Sequence, residues 1–125
     1  MKKLTDQILF DVIKPRPNDS FKGTYGKVTL VGGNRNFGGA IIMASTAAVC
    51  SGAGLVTTAT DPSNSGALHS QLPEAMFADF NNADQLASLV EPATTVVVGP
   101  GLGDDQTSLA ILKNVFEHTN EKQNV

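Results

Sequence analysis

The chain has no tryptophan, one tyrosine and one cysteine, and only 17 % of its residues are charged. Each shortage excludes something. A lone Cys50 cannot close an internal disulfide and has no CxxC neighbour with which to hold zinc; on a run of small residues it reads as core filler. Beyond Lys2 and Lys3 there is no basic cluster, and a net charge of -3 with a pI near 5.2 gives no nucleic-acid footprint. No apolar run approaches the ~20 residues of a bilayer span, and Asp6 and Asp11 interrupt the first apolar segment, so neither a membrane segment nor a secretory signal is read. The expectation is a cytoplasmic protein. Charge below the ~25 % of ordinary soluble domains leaves surface for something to cover, which suits a homo-oligomer or additional chain.

What is present alternates between two kinds of pattern. Leu4 to Ile13 carries the apolar spacing of an amphipathic helix, stopped by Pro15 and Pro17. A polar connection from Asn18 to Tyr25 leads into "KVTLV", Lys27 to Val31, whose β-branched residues predict a strand. Ala40 to Ser51 is apolar almost all round and predicts a helix buried on more than one side, closed by Gly52. Leu55 to Thr60 is the second strand, and Asp61 with Pro62 opens a short helix reaching about Ser70. A third strand is expected over Ala75 to Phe80, a helix over Ala83 to Val90 capped by Asn82, and a fourth strand over Thr94 to Val98. The unbroken "TTVVV" of the last is how a strand covered on both faces reads. Asp105 caps a final helix from Gln106 to about His118, with Leu109, Leu112 and Phe116 as its inward stripe. The expected architecture is therefore α/β, three layers in αβα order around a mostly parallel sheet. Residues 1–125 read as the N-terminal portion of one such domain, stopping where a fifth strand should begin.

Ligands of such sheets sit beyond the carboxyl ends of the strands. Two of the segments there are rich in glycine: Gly32 to Ala40 after the first strand, and "GPGLG", Gly99 to Gly103, after the fourth. Neither matches a phosphate fingerprint. Gly33 and Gly38 have the spacing of G-x-x-x-x-G-K-[ST], but Gly39 and Ala40 stand where Lys and Ser or Thr belong. G-x-G-x-x-G fails at Asp104 when started from Gly99 and at Thr57 when started from Gly52. Two readings of the glycines remain. They serve close packing of helix on strand, or they let a ligand approach bare backbone at a helix N-terminus whose N–H groups attract an anion. His69 and His118 have no partners at metal-ligand spacing and read as solvent-facing, Asp104 and Asp105 as helix caps, and Glu74 as a strand-entry charge or an acid facing a cleft. Arg35 and Lys22 are candidate phosphate contacts or solvated cations.

Four stretches then combine: "KGTYGKVTLVGGNRNFGGA", "AAVCSGAGLVTTAT", "LPEAMF" and "VVVGPGLG". In order and spacing they resemble the N-terminal half of the ADP-dependent NAD(P)H-hydrate dehydratases, a family with a ribokinase-like α/β fold. The resemblance implies repair of nicotinamide cofactors that have gained water across the ring. The hydrate hydroxyl is phosphorylated at the expense of ADP, with Mg2+ as the usual companion of ADP, and phosphate then leaves to restore NADH or NADPH. It also implies that Ala40 and Gly103 contact the hydrated dinucleotide, with Gly39 and Gly101 beside them. The family's histidine-containing substrate loop and its G-T-G-D anion hole, with the Asp expected as base, have no counterpart in this sequence. No catalytic acid or base is therefore assigned, most of the ADP site is expected elsewhere, and these residues alone are expected to be inactive. The rival expectations are a sugar or vitamin kinase of the same fold, and a non-catalytic nucleotide-binding module.

Overall fold

The computed structural model describes residues 5–125. Its strands are β1 (Lys27–Val31), β2 (Leu55–Thr60), β3 (Met76–Asp79) and β4 (Thr95–Val98). They form one sheet in the order β3-β2-β1-β4, with every neighbouring pair parallel. Around it lie α1 (Gln7–Val12), α2 (Gly38–Cys50), α3 (Ser65–Gln71), α4 (Ala83–Val90) and α5 (Gln106–His118). Single 3-10 turns occupy Lys22–Tyr25 and Pro62–Asn64.

The side-chain alternation of the strands divides the core in two. Leu30 and Val56 point to the α2 and α3 side, where they meet Ile41, Ile42, Leu68 and Leu72. Val31, Ala59, Ala78 and Val96 point to the other side and pack with α4 and α5 through Leu86, Val90, Ile111 and Val115. This follows from the crossovers. The chain steps outward from β1 to β2 to β3 over one face, then returns past β1 to β4 with α4 on the opposite face, as a single hand of connection requires.

Several expectations are corrected. The inward stripe of α5 is not Leu109, Leu112 and Phe116: Leu109 and Phe116 are 59 % and 57 % exposed, and the buried residues are Ser108, Ile111 and Val115. Ser108 sets that phase, because its hydroxyl lies 2.8 Å from both the Leu102 carbonyl oxygen and Asp105 Oδ1 and turns its side of the helix inward. Helix α2 begins at Gly38 rather than Ala40 and is buried on one side only, through Ile41, Ile42 and Ser45, since it packs on β1 and β2 while Met43 and Cys50 face outward. Cys50 is thus not core filler. The short helix after Asp61 divides into a 3-10 turn and α3. The first helix is confined to six residues, all exposed; Leu4 lies outside the described residues. The following segment is tied down by Arg16, whose Nη2 donates to the Gly52 carbonyl at 3.1 Å while its guanidinium lies 4.1 Å over the Tyr25 ring.

Beyond β4, the N–H of Val96 donates to the Asn124 carbonyl at 2.8 Å, and Asn124 forms a parallel bridge with Thr95. The outer edge of β4 is therefore engaged by chain running in the sense of the other strands.

Candidate functional site

Strands β1 and β4 are neighbours, yet β1 sends its following helix to one face of the sheet and β4 to the other. That divergence lies at their carboxyl ends, the place where sheets of this kind receive ligands. Both glycine loops lie there. They are bonded directly to each other: the N–H of Gly33 donates to the Pro100 carbonyl at 2.8 Å, and that of Asn34 to the Gly101 carbonyl at 2.7 Å. Asn34 Nδ2 adds a third link to the Leu102 carbonyl at 3.3 Å.

The glycines divide by task. A Cβ on Gly32 would strike the Pro100 carbonyl, and one on Gly101, at φ +66°, would strike the Phe37 carbonyl. These two serve the close approach of loop to loop, which is the packing reading. Gly39 differs, because a Cβ there would meet open space. It lies on the first turn of α2, whose N-cap position, Phe37, supplies no side-chain hydrogen bond. The other two long helices are sealed: Asn82 Oδ1 accepts from the Gln85 N–H at 3.0 Å, and Asp105 Oδ1 from the Ser108 N–H at 2.8 Å. The opening turn of α2 is thus the one among these three that keeps its N–H groups free of a side-chain cap.

Of the residues singled out from the sequence, Gly101 comes against Phe37, which launches α2, and Gly103, at φ +94°, comes against the Asn34 side chain. Gly39 is exposed and Ala40 half-buried on α2 itself. The loops therefore form one continuous rim, over which a ligand can lie, and not two banks with a gap between them.

Sequence reasoning missed the residues that hold this rim. Asn64 is buried, and its Nδ2 donates to the Gly33 carbonyl at 2.8 Å and to Thr60 Oγ1 at 2.9 Å; the Thr60 hydroxyl donates to the same carbonyl at 2.7 Å. Asn34 Oδ1 accepts from the N–H groups of Asn36 and Phe37 at 2.9 and 3.0 Å, which turns the chain toward α2. The Asp-Pro pair flags the turn before Asn64, but no spacing in the sequence announces a contact 31 residues away.

A polar basin of about 340 Å³ adjoins the rim, lined among others by Arg35, Asn36, Asp61, Asn81, Asp105 and Thr107. Ser63 holds the Asp61 carboxyl below its ordinary value through its hydroxyl and its N–H, with the Arg35 charge assisting. The N–H and hydroxyl of Ser108 do the same for Asp105. Both acids are ionised at neutral pH and act as acceptors. Asp105 is the cap of α5, as expected. Glu74 and Lys22 do not reach this site; they line a separate cavity of about 370 Å³ with the start of β2, at the opposite rim. His69 is exposed, whereas His118 is half-buried with Nδ1 2.8 Å from the Asn114 carbonyl oxygen.

No group of three His, Cys, Asp or Glu side chains among the described residues is arranged to hold a metal ion.

The fold recurs in known proteins. A family model described as NAD(P)H-hydrate dehydratase matches residues 28–121. The ADP-dependent (S)-NAD(P)H-hydrate dehydratase of Lactiplantibacillus plantarum is 51 % identical over 98 % of this chain, and that of Enterococcus faecalis 47 %. These matches cover 44 % and 42 % of the relatives, so the chain spans less than half their length. A crystal structure of a ribokinase-like superfamily protein from Enterococcus faecalis superposes with a TM-score of 0.93 at 48 % identity, over 96 % of this chain and 42 % of that one. The ADP/ATP-dependent NAD(P)H-hydrate dehydratase of Bacillus subtilis, co-crystallised with ATP/Mg2+, gives 0.76 at 26 % identity, over 90 % of this chain and 41 % of its own. A four-stranded parallel sheet with two linked glycine loops, matched over three quarters of its length and more, places this chain in the NAD(P)H-hydrate dehydratase family.

Proposed function

We propose that this chain forms the substrate-binding part of a cytoplasmic, ADP-dependent NAD(P)H-hydrate dehydratase. The observation that carries the reading is the rim itself: two backbone loops locked together at the divergence of β1 and β4, with the uncapped first turn of α2 beside them. Gly39 and Ala40 let the hydrated dinucleotide lie against main chain, while Gly101 and Gly103 hold the neighbouring loop close beneath it. The α2 N-terminus favours the negative charge of its phosphates.

The chemistry asks for little else from this part of the protein. A phosphoryl group passes from ADP to the hydroxyl of the hydrated ring, leaving AMP. Loss of phosphate and a ring proton then restores the double bond. Hydroxide is a poor leaving group and phosphate a good one, so the first step makes the second feasible. Phosphoryl transfer is driven mainly by positioning and charge stabilisation, and the residues here supply the positioning of the acceptor. ADP, with Mg2+ carried on its phosphates, is held mainly by chain beyond these residues, after a fifth strand that continues the sheet past β4. The enzyme works as a homo-oligomer.

The test is to extend the chain to the length of its relatives and incubate it with hydrated NADH and ADP. Absorbance in the reduced-nicotinamide band should return. No recovery with either ADP or ATP removes the reading. A phosphorylated product that accumulates without elimination assigns the protein to the small-molecule kinases instead.

A further inference from the structure

The two loops of the rim are joined along their main chains by the N–H groups of Gly33 and Asn34. The Asn34 side chain adds bonds of another kind. Its Oδ1 accepts from the N–H groups of Asn36 and Phe37 at 2.9 and 3.0 Å, which fixes the turn leading into Gly38 and Gly39. Its Nδ2 donates across to the Leu102 carbonyl at 3.3 Å. That carbonyl also accepts from the Ser108 hydroxyl at 2.8 Å, and the Ser108 N–H is held by Asp105, the cap of α5. One side-chain amide therefore ties the opening of α2, on one face of the sheet, to the opening of α5, on the other.

The amide works in one orientation only. Two N–H donors face its oxygen and a carbonyl faces its nitrogen, so a flip would set like against like at every contact. The space beside it is closed as well: a Cβ on Gly103 would stand 2.8 Å from Asn34 Nδ2. Yet the side chain is only half-buried, and the loops keep their two main-chain bonds without it, so the sheet does not depend on it. What it fixes is direction, that of the open α2 turn bearing Gly39 and Ala40 relative to the loop of Gly101 and Gly103.

We propose that Asn34 is a positioning residue of this site, acting through the α2 turn and the Leu102 carbonyl to hold both halves of the rim in one register and so orient the dinucleotide for phosphoryl transfer. This rests on the function proposed above. A substrate lying across both loops keeps its hydroxyl in line with the phosphoryl donor only while the loops move as one body. Misplacement by about 1 Å costs on the order of 10²-fold in rate.

The test uses the chain at the length of its relatives and two variants. Asn34→Ala loses every side-chain bond; Asn34→Asp keeps the two acceptor bonds but sets an oxygen against the Leu102 carbonyl. Without ligand, amide hydrogen exchange in Asn34→Ala should rise about fivefold, the worth of one hydrogen bond, at Phe37, Leu102 and Ser108. In Asn34→Asp it should rise at Leu102 and Ser108 alone. With hydrated NADH and ADP, kcat should fall roughly 10–100-fold in both, and KM should rise only in Asn34→Asp, whose charge repels the substrate's phosphates. Val90→Ala, a truncation of a fully buried side chain on α4, should lower Tm at least as far and leave kcat and KM unchanged, which separates orientation from stability. Exchange that rises at Phe37 alone, or a kcat equal to the parent's in both variants, would overturn the proposal. A parent inactive on hydrated NADH removes the dehydratase reading; exchange rising on both loops then still upholds Asn34 as the link between them, and exchange at Phe37 alone still rejects it.

Discussion

Asn64, on the turn after β2, holds the carbonyl of Gly33, on the loop after β1, at 2.8 Å from its Nδ2. That carbonyl also accepts from Thr60 Oγ1 and from the Asp61 N–H. One backbone oxygen thus gathers the ends of two strands beneath the rim. Asn64→Ala should lower stability by about 1–2 kcal/mol, a fall in Tm of roughly 5–10 °C. Thermal denaturation measures it, and dinucleotide affinity should fall with it, since the loop that bears Asn34 loses its support.

Gly39 and Gly101 make opposite predictions. A Cβ on Gly39 enters open space on a helix, so Gly39→Ala should leave the fold as stable or raise it by up to about 1 kcal/mol. It should nonetheless weaken dinucleotide binding, because the methyl group stands where the ligand meets main chain. Gly101→Ala combines a positive φ with collision against the Phe37 carbonyl and should cost about 3 kcal/mol. Paired melting and titration curves separate the two. A Gly39→Ala variant that binds as well as the parent would remove that residue from the site.

Acid should loosen the rim from below. Asp61 and Asp105 are both held under the ordinary carboxylate value of 3.8 by their serine partners. The unfolded chain therefore binds these protons more readily than the folded one. Their contribution is complete above that value and is lost as pH falls through the depressed folded-state values. Tm should hold from neutrality to about pH 5 and drop below about pH 4. In a variant carrying Asp61→Asn and Asp105→Asn, which keep a capping oxygen, the drop should be shallower.

Helix α1 exposes Phe10 and Val12 at 70 % and 72 %, Ile13 just after it is 69 % exposed, and Met43 of α2 is likewise 70 % exposed. Light scattering on the chain should return a mass above the 13.1 kDa of one copy. Replacing Phe10 and Val12 by serine should shift it toward that value if α1 joins subunits; an unchanged mass would move the contact elsewhere.

The fold was largely legible because its signals are local. Leu55–Thr60, Ala83–Val90 and Gln106–His118 stand where β-branching, apolar spacing and the caps Asn82 and Asp105 put them. The rotation of α5 was not legible. Ser108 counts as polar in any pattern, and its burial depends on a bond to Leu102 across a turn. The exposure of Cys50 and Met43 was hidden for a related reason: an apolar side chain reads the same whether another element covers it or not. At the site, glycine content located both loops. It could not say which glycines face a ligand and which face each other, because that depends on the register in which the loops meet.

The two main-chain hydrogen bonds between the loops after β1 and β4 have an evolutionary corollary. An insertion in either loop would shift its bonded atoms past those of the other, so neither can change length alone. The upper lip is therefore inherited as a matched pair.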